Sequence, residues 1–333
     1  MRMNGLLISA LATLWLTGCN NGSQATQKNA DSDSTVVENT AVSDSQDEAT
    51  PAEEPYDLEA IAKVLKGCDY AFNFENGVAQ VKKGDEYFFI DKMGRITERP
   101  ERTESKELEV KYDEATGLKG FVNQSGEWVI RPQFEYCGTF SEGLCWVTTP
   151  ESNGGIGFID TTGKMVIPCE FEWAVEHQPC DFHEGLCPVI VLPENECFGY
   201  IDKTGKRAFP GIYSYEADFS EGLAGVREVE ELGDGFVKSK RSGYIDKTGE
   251  MVLVIDETDQ APHCGEFHEG IAKVRAYNKA WFIDKTGKKL FELDPEEYYT
   301  GDTSQFSEGL MYICSKNRGP GFFDKNFHST FDY

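Results

Sequence analysis

Short runs of alternating apolar and polar residues recur along the chain from about residue 70 onward. The most regular run has an aromatic residue, Ile or Val, Asp, two polar residues and Gly, as at residues 200–205 and 244–249. The alternation predicts a β-strand. The Asp-Lys-Thr-Gly that ends it predicts a turn, because the Asp side chain accepts from the backbone ahead and Gly takes the positive φ that a hairpin requires.

Two phrases of this kind alternate along the chain. The first phrase, aromatic-Ile/Val-Asp-x-x-Gly, occurs at residues 89–94, 121–126 with Asn123 for Asp, 158–163, 200–205, 244–249, 282–287 and, without its Gly, 322–327. The second phrase, Phe-Ser/His-Glu-Gly-Leu, occurs at residues 140–144, 182–186, 219–223, 267–271 and 306–310, and in a weaker form at 74–78. One copy of the second phrase is missing between Gly94 and Gly120, where a charged stretch replaces it. The alternation indicates seven related units.

Each unit is predicted to be a three- or four-stranded antiparallel meander, so the fold class is all-β. Seven units of about 39 residues are typical of a β-propeller-like ring. An open, curved β-solenoid is the alternative. Irregular spacing and the decayed first, second and last units favour the open form, whereas the count of seven favours closure.

A short helix is expected within residues 56–70, ahead of the repeat domain at residues 71–333. Asp57 is a suitable N-cap, and Gly67 can end the helix. Leu58, Ile61, Ala62 and Leu65 give it one apolar face. We expect the helix to cover one end or face of the repeat body.

The two phrases resemble the WG repeat of bacterial exported proteins, which is named for a Trp-Gly pair before Phe-Ile-Asp. The resemblance extends from about Phe72 to the end of the chain. The Gly of that pair is kept at Gly120, Gly157, Gly199, Gly243 and Gly321, where the Trp is replaced by Lys119, Ile156, Phe198, Ser242 and Pro320. Trp281 stands where the Gly of its unit would be. The resemblance implies an architecture and no common activity.

The first 18 residues are interpreted as a signal peptide, with Arg2 followed by an apolar run too short to span a bilayer. Leu16-Thr17-Gly18-Cys19 resembles the bacterial lipobox. The resemblance implies cleavage after Gly18 and a lipidated Cys19 that carries a thioether lipid and an amide-linked acyl chain such as palmitate. An ordinary signal peptide with a chance Cys is the alternative. By the same resemblance, Asn20 after the Cys predicts an outer-membrane lipoprotein, which faces either the periplasm or the cell surface.

Residues 19–55 are expected to form a disordered acidic tether after the lipidated Cys. Residues 20–55 contain no aromatic residue, and they have eight acidic residues against Lys28 alone. Such a stretch buries too little apolar surface to offset its chain entropy. The formal net charge of the whole chain is −26, which excludes nucleic acid as a partner, because phosphate binding requires clustered Lys and Arg.

No catalytic, cofactor or metal site is predicted. Recurring acids invite a glycosidase hypothesis, but one acid per unit at a turn is better explained by turn hydrogen bonding. These acids are Glu142, Glu184, Glu221, Glu269, Glu308, Asp91, Asp160, Asp202, Asp246, Asp284 and Asp324. His183 and His268 fill a slot that Ser occupies in other units, so they are expected at exposed turn positions.

The positions of some cysteines within the repeat also predict their environment. Cys145 and Cys187 share a slot with Ala224 and Ala272, so they are predicted to be small buried side chains. Cys137 and Cys264 share another slot. Disulfides among the nine cysteines besides Cys19 stay open at this point.

The predicted function is a non-enzymatic binding or scaffold module, held at a membrane by its N-terminal lipid. Its partner would be a protein or a cell-envelope polymer. Aromatic residues outside the repeat slots are candidates to stack on that partner, although core packing is an alternative role for each: Trp146, Trp173, Tyr213, Tyr215, Tyr298 and Tyr299. An envelope hydrolase that acts on glycan or peptide is the competing hypothesis, and a purely structural role is the third.

Overall fold

The computed structural model describes residues 55–99, 108–172, 181–233, 236–255, 262–299 and 305–333. The described part is almost entirely antiparallel β-sheet, with one α-helix and two short 3-10 helices at Pro193–Asn195 and Thr330–Asp332. The predicted all-β repeat fold is therefore confirmed.

The α-helix α1 spans Leu58–Leu65, and it begins and ends where the sequence predicts. The Asp57 side chain caps it by accepting from the backbone N–H of Ala60 at 2.9 Å. Leu58, Ile61 and Leu65 are buried in a cluster with residues of the first and last repeats. The helix therefore covers the place where the two ends of the repeat domain meet.

The first three units form separate sheets. Unit 1 has strands β1 (Tyr70–Ala71), β2 (Val78–Lys83), β3 (Glu86–Asp91) and β4 (Ile96–Thr97). Unit 2 has three strands, β5 (Glu109–Asp113), β6 (Leu118–Val122) and β7 (Trp128–Phe134). Unit 3 has β8 (Tyr136–Cys137), β9 (Leu144–Thr148), β10 (Ile156–Asp160) and β11 (Met165–Phe171).

Units 4 and 5 share one six-stranded sheet in chain order. Unit 4 contributes β12 (Leu186–Leu192) and β13 (Cys197–Asp202). Unit 5 contributes β14 (Tyr213–Glu216), β15 (Leu223–Gly233), β16 (Phe236–Asp246) and β17 (Met251–Val254). A single pairing, Phe198 with Tyr213, links the two units within this sheet.

The last two units are again separate. Unit 6 has β18 (His263–His268), β19 (Ile271–Ala276), β20 (Lys279–Asp284) and β21 (Lys289–Leu293). Unit 7 has β22 (Phe306–Ser307), β23 (Leu310–Ser315) and β24 (Gly319–Asp324). Every strand in a sheet pairs antiparallel with its neighbours in sequence order, so each unit is a simple meander, as predicted.

Consecutive units are held together by apolar clusters that each span one junction. Clusters join unit 2 to unit 3, unit 3 to unit 4, unit 4 to unit 5, unit 5 to unit 6 and unit 6 to unit 7. A further cluster joins unit 7 back to unit 1, with Leu310, Tyr312 and Phe322 packed against Ala79 and Val81. The array therefore curves back on itself as a propeller-like ring.

The glycines of the Trp-Gly slot lie where two strands approach closely. A Cβ added at Gly120 would lie 2.5 Å from the Ile130 carbonyl oxygen, and one at Gly157 would lie 2.6 Å from that of Ile167. These positions need glycine because its missing side chain leaves room for the next strand. The Trp of the pair is dispensable here, since Lys119 and Ile156 occupy its slot.

Candidate functional site

The five glutamates of the second phrase each bind the next unit. Each carboxylate accepts from a backbone N–H in the second phrase of the next unit, at 2.9–3.2 Å; the donor is the Gly of that phrase's Glu-Gly pair, or of Asn-Gly in unit 1. The carboxylate also lies 2.7–3.2 Å from the Nζ atom of a Lys in that unit's first phrase. The sets are Glu142 with Gly185 and Lys203, Glu184 with Gly222 and Lys247, Glu221 with Gly270 and Lys285, Glu269 with Gly309 and Lys325, and Glu308 with Gly77 and Lys92. We call these sets the inter-unit latches.

A two-residue turn aims each latch glutamate at its neighbour. In unit 3, Ser141 and Leu144 exchange backbone hydrogen bonds at 2.8 and 3.0 Å across Glu142 and Gly143. Both central residues have positive φ, 50° and 85°, as in a type I′ turn. Positive φ is uncommon for Glu, and its recurrence at five latches ties this backbone shape to the carboxylate contact.

The pKa of Glu142 follows from its latch. Burial acts to raise it, but hydrogen bonds from Lys203 and from the Gly185 backbone outweigh burial and hold the pKa below its usual value. The same balance lowers the pKa of Glu184 and of Glu221. These carboxylates are therefore ionised and bound to their neighbours, which is a structural role and a poor starting point for acid catalysis.

The aspartates of the first phrase cap their own turns. In unit 5, Asp246 Oδ1 accepts from the backbone N–H groups of Thr248 and Glu250 at 2.9 and 3.1 Å, and from the Thr248 hydroxyl at 2.6 Å. The hydrogen bond from the Thr248 hydroxyl is the main reason that the pKa of Asp246 is lowered. Turn hydrogen bonding, as predicted, accounts for these acids.

The Ser slot of the second phrase also connects units. The hydroxyl of Ser141 donates to the Phe182 carbonyl at 2.7 Å, and that of Ser307 donates to the Phe74 carbonyl at 2.6 Å. His183 and His268 lie beside the turn, as predicted, but they are half-buried instead of exposed, and each meets a carboxylate. His183 Nε2 lies 3.2 Å from Asp218 in the next unit.

A polar slot that the sequence analysis missed precedes the Phe of the second phrase. The residues in this slot are Asn73, Thr139, Asp181, Asp218, Glu266 and Gln305. Glu266 lies in β18, and the other five lie outside the strands, directly before the second phrase. The sequence signal is that this repeat position holds a polar residue in all six units that have the second phrase.

Three carboxyl groups of this slot lie close enough to affect one another. Burial raises the pKa of Asp218 to about 6, the nearby His183 opposes the rise, and Glu266 and Asp181 add to it. His268 Nε2 lies 3.2 Å from Glu266. Near Asp218, burial also raises the pKa of Glu216 to about 8. Unit 5 therefore holds two carboxyl groups, Asp218 and Glu216, whose pKa values lie near neutral pH.

A cavity of about 160 Å³ opens beside this group, between the first strands of units 5, 6 and 7. Its polar lining comes from Tyr215, His263, Glu266, Lys273, Arg275 and Gln305. The Tyr215 and His263 rings are in contact, with centroids 4.0 Å apart and planes tilted by 41°. Arg275 Nη2 lies 3.4 Å from the His263 ring nitrogens.

The cavity combines both signs of charge with aromatic and apolar walls. Burial, with Arg275 and Arg227 nearby, lowers the pKa of His263 to about 4, so its ring is neutral at pH 7. Ile271, Phe282 and Phe306 supply apolar surface. Such a lining suits binding of a polar group that has an apolar or ring portion. The described residues contain no group of three His, Cys, Asp or Glu side chains arranged to hold a metal ion.

The predicted stacking residues divide into buried and exposed sets. Trp146, Tyr213 and Tyr298 are buried in the core clusters, so the stacking role suggested for them is wrong and the packing alternative holds. Tyr215 lines the cavity, and Tyr299 is 52% exposed. Trp173 lies outside the described residues.

Cys145 and Cys187 are completely buried, as their shared slot predicts. The eight cysteines of the described residues are all free thiols, and Cys264 is also buried. Cys19 and Cys180 lie outside the described residues, as do the predicted signal peptide and all of the predicted tether except Pro55. No helix in the described ranges has the length and apolar character needed to cross a membrane.

Comparison with known families gives one match. The family model "WG containing repeat" matches residues 66–87, 120–149, 156–191 and 198–228, which fall in units 1 to 5. No curated relative matches the chain.

Similar solved structures include the computationally designed Ika8 protein, at 12% identity and a TM-score of 0.36, covering 78% of this chain and 96% of that one. KlHsv2 with loop 6CD replaced by a Gly-Ser linker has 9% identity and a TM-score of 0.45, covering 78% and 93%. BamB from Moraxella catarrhalis has 9% identity and a TM-score of 0.35, covering 76% and 85%.

Proposed function

We propose that this protein, whose body is built from WG-containing repeats, is a non-enzymatic binding or scaffold module of the cell envelope. The observation that carries the proposal is the use of its recurring acids. The latch glutamates and turn aspartates are bound to the protein's own backbone and lysines, so these recurring acids make the ring rigid. A rigid ring with a mixed polar and aromatic cavity is suited to recognition.

The cavity between units 5, 6 and 7 is the proposed contact site for the partner. Tyr215 and His263 offer two contacting aromatic rings, Glu266 and Arg275 offer opposite charges, and Gln305 is exposed at the wall. A peptide side chain or a sugar unit of an envelope polymer matches this combination, because both join polar groups to an apolar face.

The proposed anchor is a lipid on Cys19, which holds the protein at the outer membrane. The lipobox-like residues 16–19 and Asn20 support this location, and the acidic stretch that follows supports a spacer between lipid and ring. The partner would then be met at the membrane surface, in the periplasm or outside the cell.

A photo-crosslinking residue placed at Gln305 in the full chain, in cells, tests the binding proposal. We expect a discrete crosslinked species that is lost when Tyr215→Ala is added. The same crosslinker at Thr162, on an exposed turn of unit 3, is the matched control. Crosslinking that is equal at both positions, or that persists with Tyr215→Ala, would contradict a specific cavity partner.

The alternative of an envelope hydrolase has one observation in its favour. The pKa values of Asp218 and Glu216 are raised to about 6 and about 8, into the range of general acids. Hydrolysis of purified cell-wall glycan or peptide that disappears in Asp218→Asn, with folding intact, would support this alternative over the binding module.

A further inference from the structure

The junction between units 4 and 5 has a titratable contact where three other junctions have a neutral hydrogen bond. At those three, a Ser of the second phrase donates to the carbonyl of the next unit's Phe, as Ser220 does to Phe267 at 2.6 Å. In unit 4 this slot holds His183, whose Nε2 atom lies 3.2 Å from a carboxylate oxygen of Asp218 in unit 5. Histidine changes its charge between about pH 5 and 8, so protons act on this contact, whereas the Ser hydrogen bonds do not titrate.

The surroundings of Asp218 disfavour a negative charge. Its Oδ1 atom is buried and has no hydrogen-bond partner among the described residues, and the same holds for Oδ1 of Asp181 in unit 4. A buried oxygen without a donor costs free energy, and the cost is larger when the group is charged. The position of both carboxyl groups therefore favours their protonated form.

The charged groups that act on Asp218 come from units 4, 5 and 6. Burial raises its pKa to about 6, His183 opposes the rise, and Glu266 and Asp181 add to it. Burial also raises the pKa of Glu216, and the charge of Asp218 adds to that rise. Glu266 in turn lies 3.2 Å from Nε2 of a second histidine. We call these six residues the proton cluster: Asp181, His183, Glu216, Asp218, Glu266 and His268.

The latch of the same junction behaves differently. Burial acts to raise the pKa of Glu184, but hydrogen bonds from Lys247 and from the Gly222 backbone outweigh burial and hold the pKa below its usual value. Glu184 therefore stays ionised from pH 5 upward. The proton cluster, in contrast, changes its charge in this range.

The proton cluster adjoins the wall of the cavity between units 5, 6 and 7. Along residues 215–218, Tyr215 and Ala217 line the cavity, and they alternate with Glu216 and Asp218 of the cluster. Glu266 belongs to both the cavity wall and the cluster. Since one stretch of backbone carries both sets of side chains, a shift of Asp218 relative to unit 4 also shifts the cavity wall.

From this arrangement, we propose that the cavity is regulated by pH, with proton uptake by the cluster tightening the packing of unit 5 against unit 4 and stabilising the cavity wall. This inference rests on the proposed function, because it concerns the regulation of the cavity proposed there as the contact site. The folded pKa of Asp218, about 6, lies above the ordinary 3.8, so the folded state favours the protonated form. The resulting stability is complete below about pH 3.8 and is lost as pH rises through about 6.

Hydrogen exchange of the full chain at pH 5 and pH 7, corrected for the intrinsic rate at each pH, tests the proposal without any ligand. The reporter is the backbone N–H of Ala217, which donates to the Gly225 carbonyl at 2.9 Å. We expect its opening constant to be larger at pH 7 than at pH 5, and the ratio of the two constants to be about tenfold smaller in Asp218→Asn.

Two controls show whether the effect is local and specific. The equivalent N–H in unit 3 is that of Gly138, which donates to the Trp146 carbonyl at 3.1 Å, and its opening constant should change less with pH. Asp284→Asn makes the same substitution at an exposed turn of unit 6, where the Thr286 hydroxyl lowers the pKa of Asp284. This variant should leave the pH response of Ala217 unchanged.

Two further variants should move the pH response in opposite directions. The contribution of Asp218 is measured as the difference between each protein with and without Asp218→Asn, and its midpoint in the wild type is expected near pH 6. His183→Ser removes the group that opposes the raised pKa of Asp218, so the midpoint should move to higher pH. Glu266→Gln removes a group that adds to the rise, so the midpoint should move to lower pH.

The proposal is overturned if the ratio of opening constants is the same in wild type and Asp218→Asn, or if Gly138 responds to pH as strongly as Ala217. It is also overturned if the two midpoints move in the same direction. If Asp218→Asn fails to fold, as judged by its thermal transition, Asp218→Ser replaces it with the same expectations. No ligand enters these measurements, so a failed Gln305 crosslinking experiment would leave the pH response standing, and the two proposals fail separately.

Discussion

The Glu308 carboxylate lies 2.9 and 3.1 Å from the backbone nitrogen of Gly77, a residue 231 positions earlier in the chain. Lys92 Nζ lies 3.1 Å from the same carboxylate. This latch is the one that connects unit 7 to unit 1, so it fastens the two ends of the repeat domain to each other.

Removing this latch should destabilise the ring. Glu308→Ala leaves the N–H of Gly77 and the ammonium of Lys92 without their acceptor, and we expect a loss of about 1–3 kcal/mol in the free energy of unfolding. Glu75→Ala is the matched control, because Glu75 lies exposed on the neighbouring turn of unit 1, and its effect should stay within about 0.5 kcal/mol. Urea unfolding of both variants measures the difference. Equal stabilities would show that the latch contributes nothing to closure.

The buried carboxyl group of Glu216 should make stability fall at alkaline pH. Its folded pKa, about 8, lies above the ordinary 4.5, so the folded state favours the protonated form. This contribution to stability is complete below about pH 4.5 and is lost as pH rises through about 8. Glu216→Gln keeps the group neutral, so its melting temperature relative to wild type should be higher at pH 9 than at pH 5. A difference that does not change between these pH values would contradict the buried, raised pKa.

Two glycine substitutions should separate backbone strain from steric clash. Gly249 and Gly126 both have positive φ, 83° and 75°, but a Cβ at Gly249 would lie 2.5 Å from the Phe209 ring, whereas one at Gly126 meets open space. Val should cost each position about 1–3 kcal/mol of strain. Gly249→Val should lose about 1–3 kcal/mol more through overpacking. Thermal unfolding of the two variants measures the gap, and equal losses would place Phe209 farther away than the structure does.

Asp246→Asn should be nearly silent for stability. Asn123 already occupies this slot in unit 2, and its side-chain oxygen accepts from the Glu127 backbone N–H at 3.0 Å, as a carboxylate does elsewhere. We expect a change within about 0.5 kcal/mol. Thr248→Ala is the comparison, and it should cost somewhat more, up to about 1 kcal/mol, because the Thr248 hydroxyl donates to Asp246 at 2.6 Å. Loss of partner binding in Asp246→Asn with folding intact would reveal a chemical role for this acid.

Cys19→Ser should release the protein from membranes. The proposed anchor is a lipid on the Cys19 sulfur, so the variant should accumulate unprocessed or as soluble protein. Fractionation, with separation of inner and outer membranes on a density gradient, measures this result. Wild-type protein in the inner-membrane band would contradict the outer-membrane proposal, and unchanged fractionation of Cys19→Ser would contradict lipidation.

The strands and turns of the repeats could be predicted from sequence because their chemistry is local. Gly249 takes positive φ and Asp246 accepts from the residues just ahead of it, as the Asp-Lys-Thr-Gly pattern indicates. The same locality explains why α1 was placed correctly from its Asp57 cap and apolar face.

Features that depend on distant residues were not predictable in this way. Glu308 looked like a turn residue, and only the ring brings Gly77 within hydrogen-bond distance. The alternation of apolar and polar residues shows that Tyr213 and Trp146 each point to one face of their own sheet. It does not show that a neighbouring unit covers that face. The raised pKa of Asp218 arises from burial and from two other units, so its own sequence neighbours do not reveal it.

The contact between the last unit and the first also sets the order in which the protein can fold during synthesis. The core of unit 1 includes Leu310, Tyr312 and Phe322, so α1 and β1–β4 cannot complete their core until the end of the chain has emerged. N-terminal domains generally fold first during synthesis. Here the core of the N-terminal unit is complete only after the C-terminal unit has been made. A chain that ends before residue 310 therefore leaves the core of the N-terminal unit incomplete.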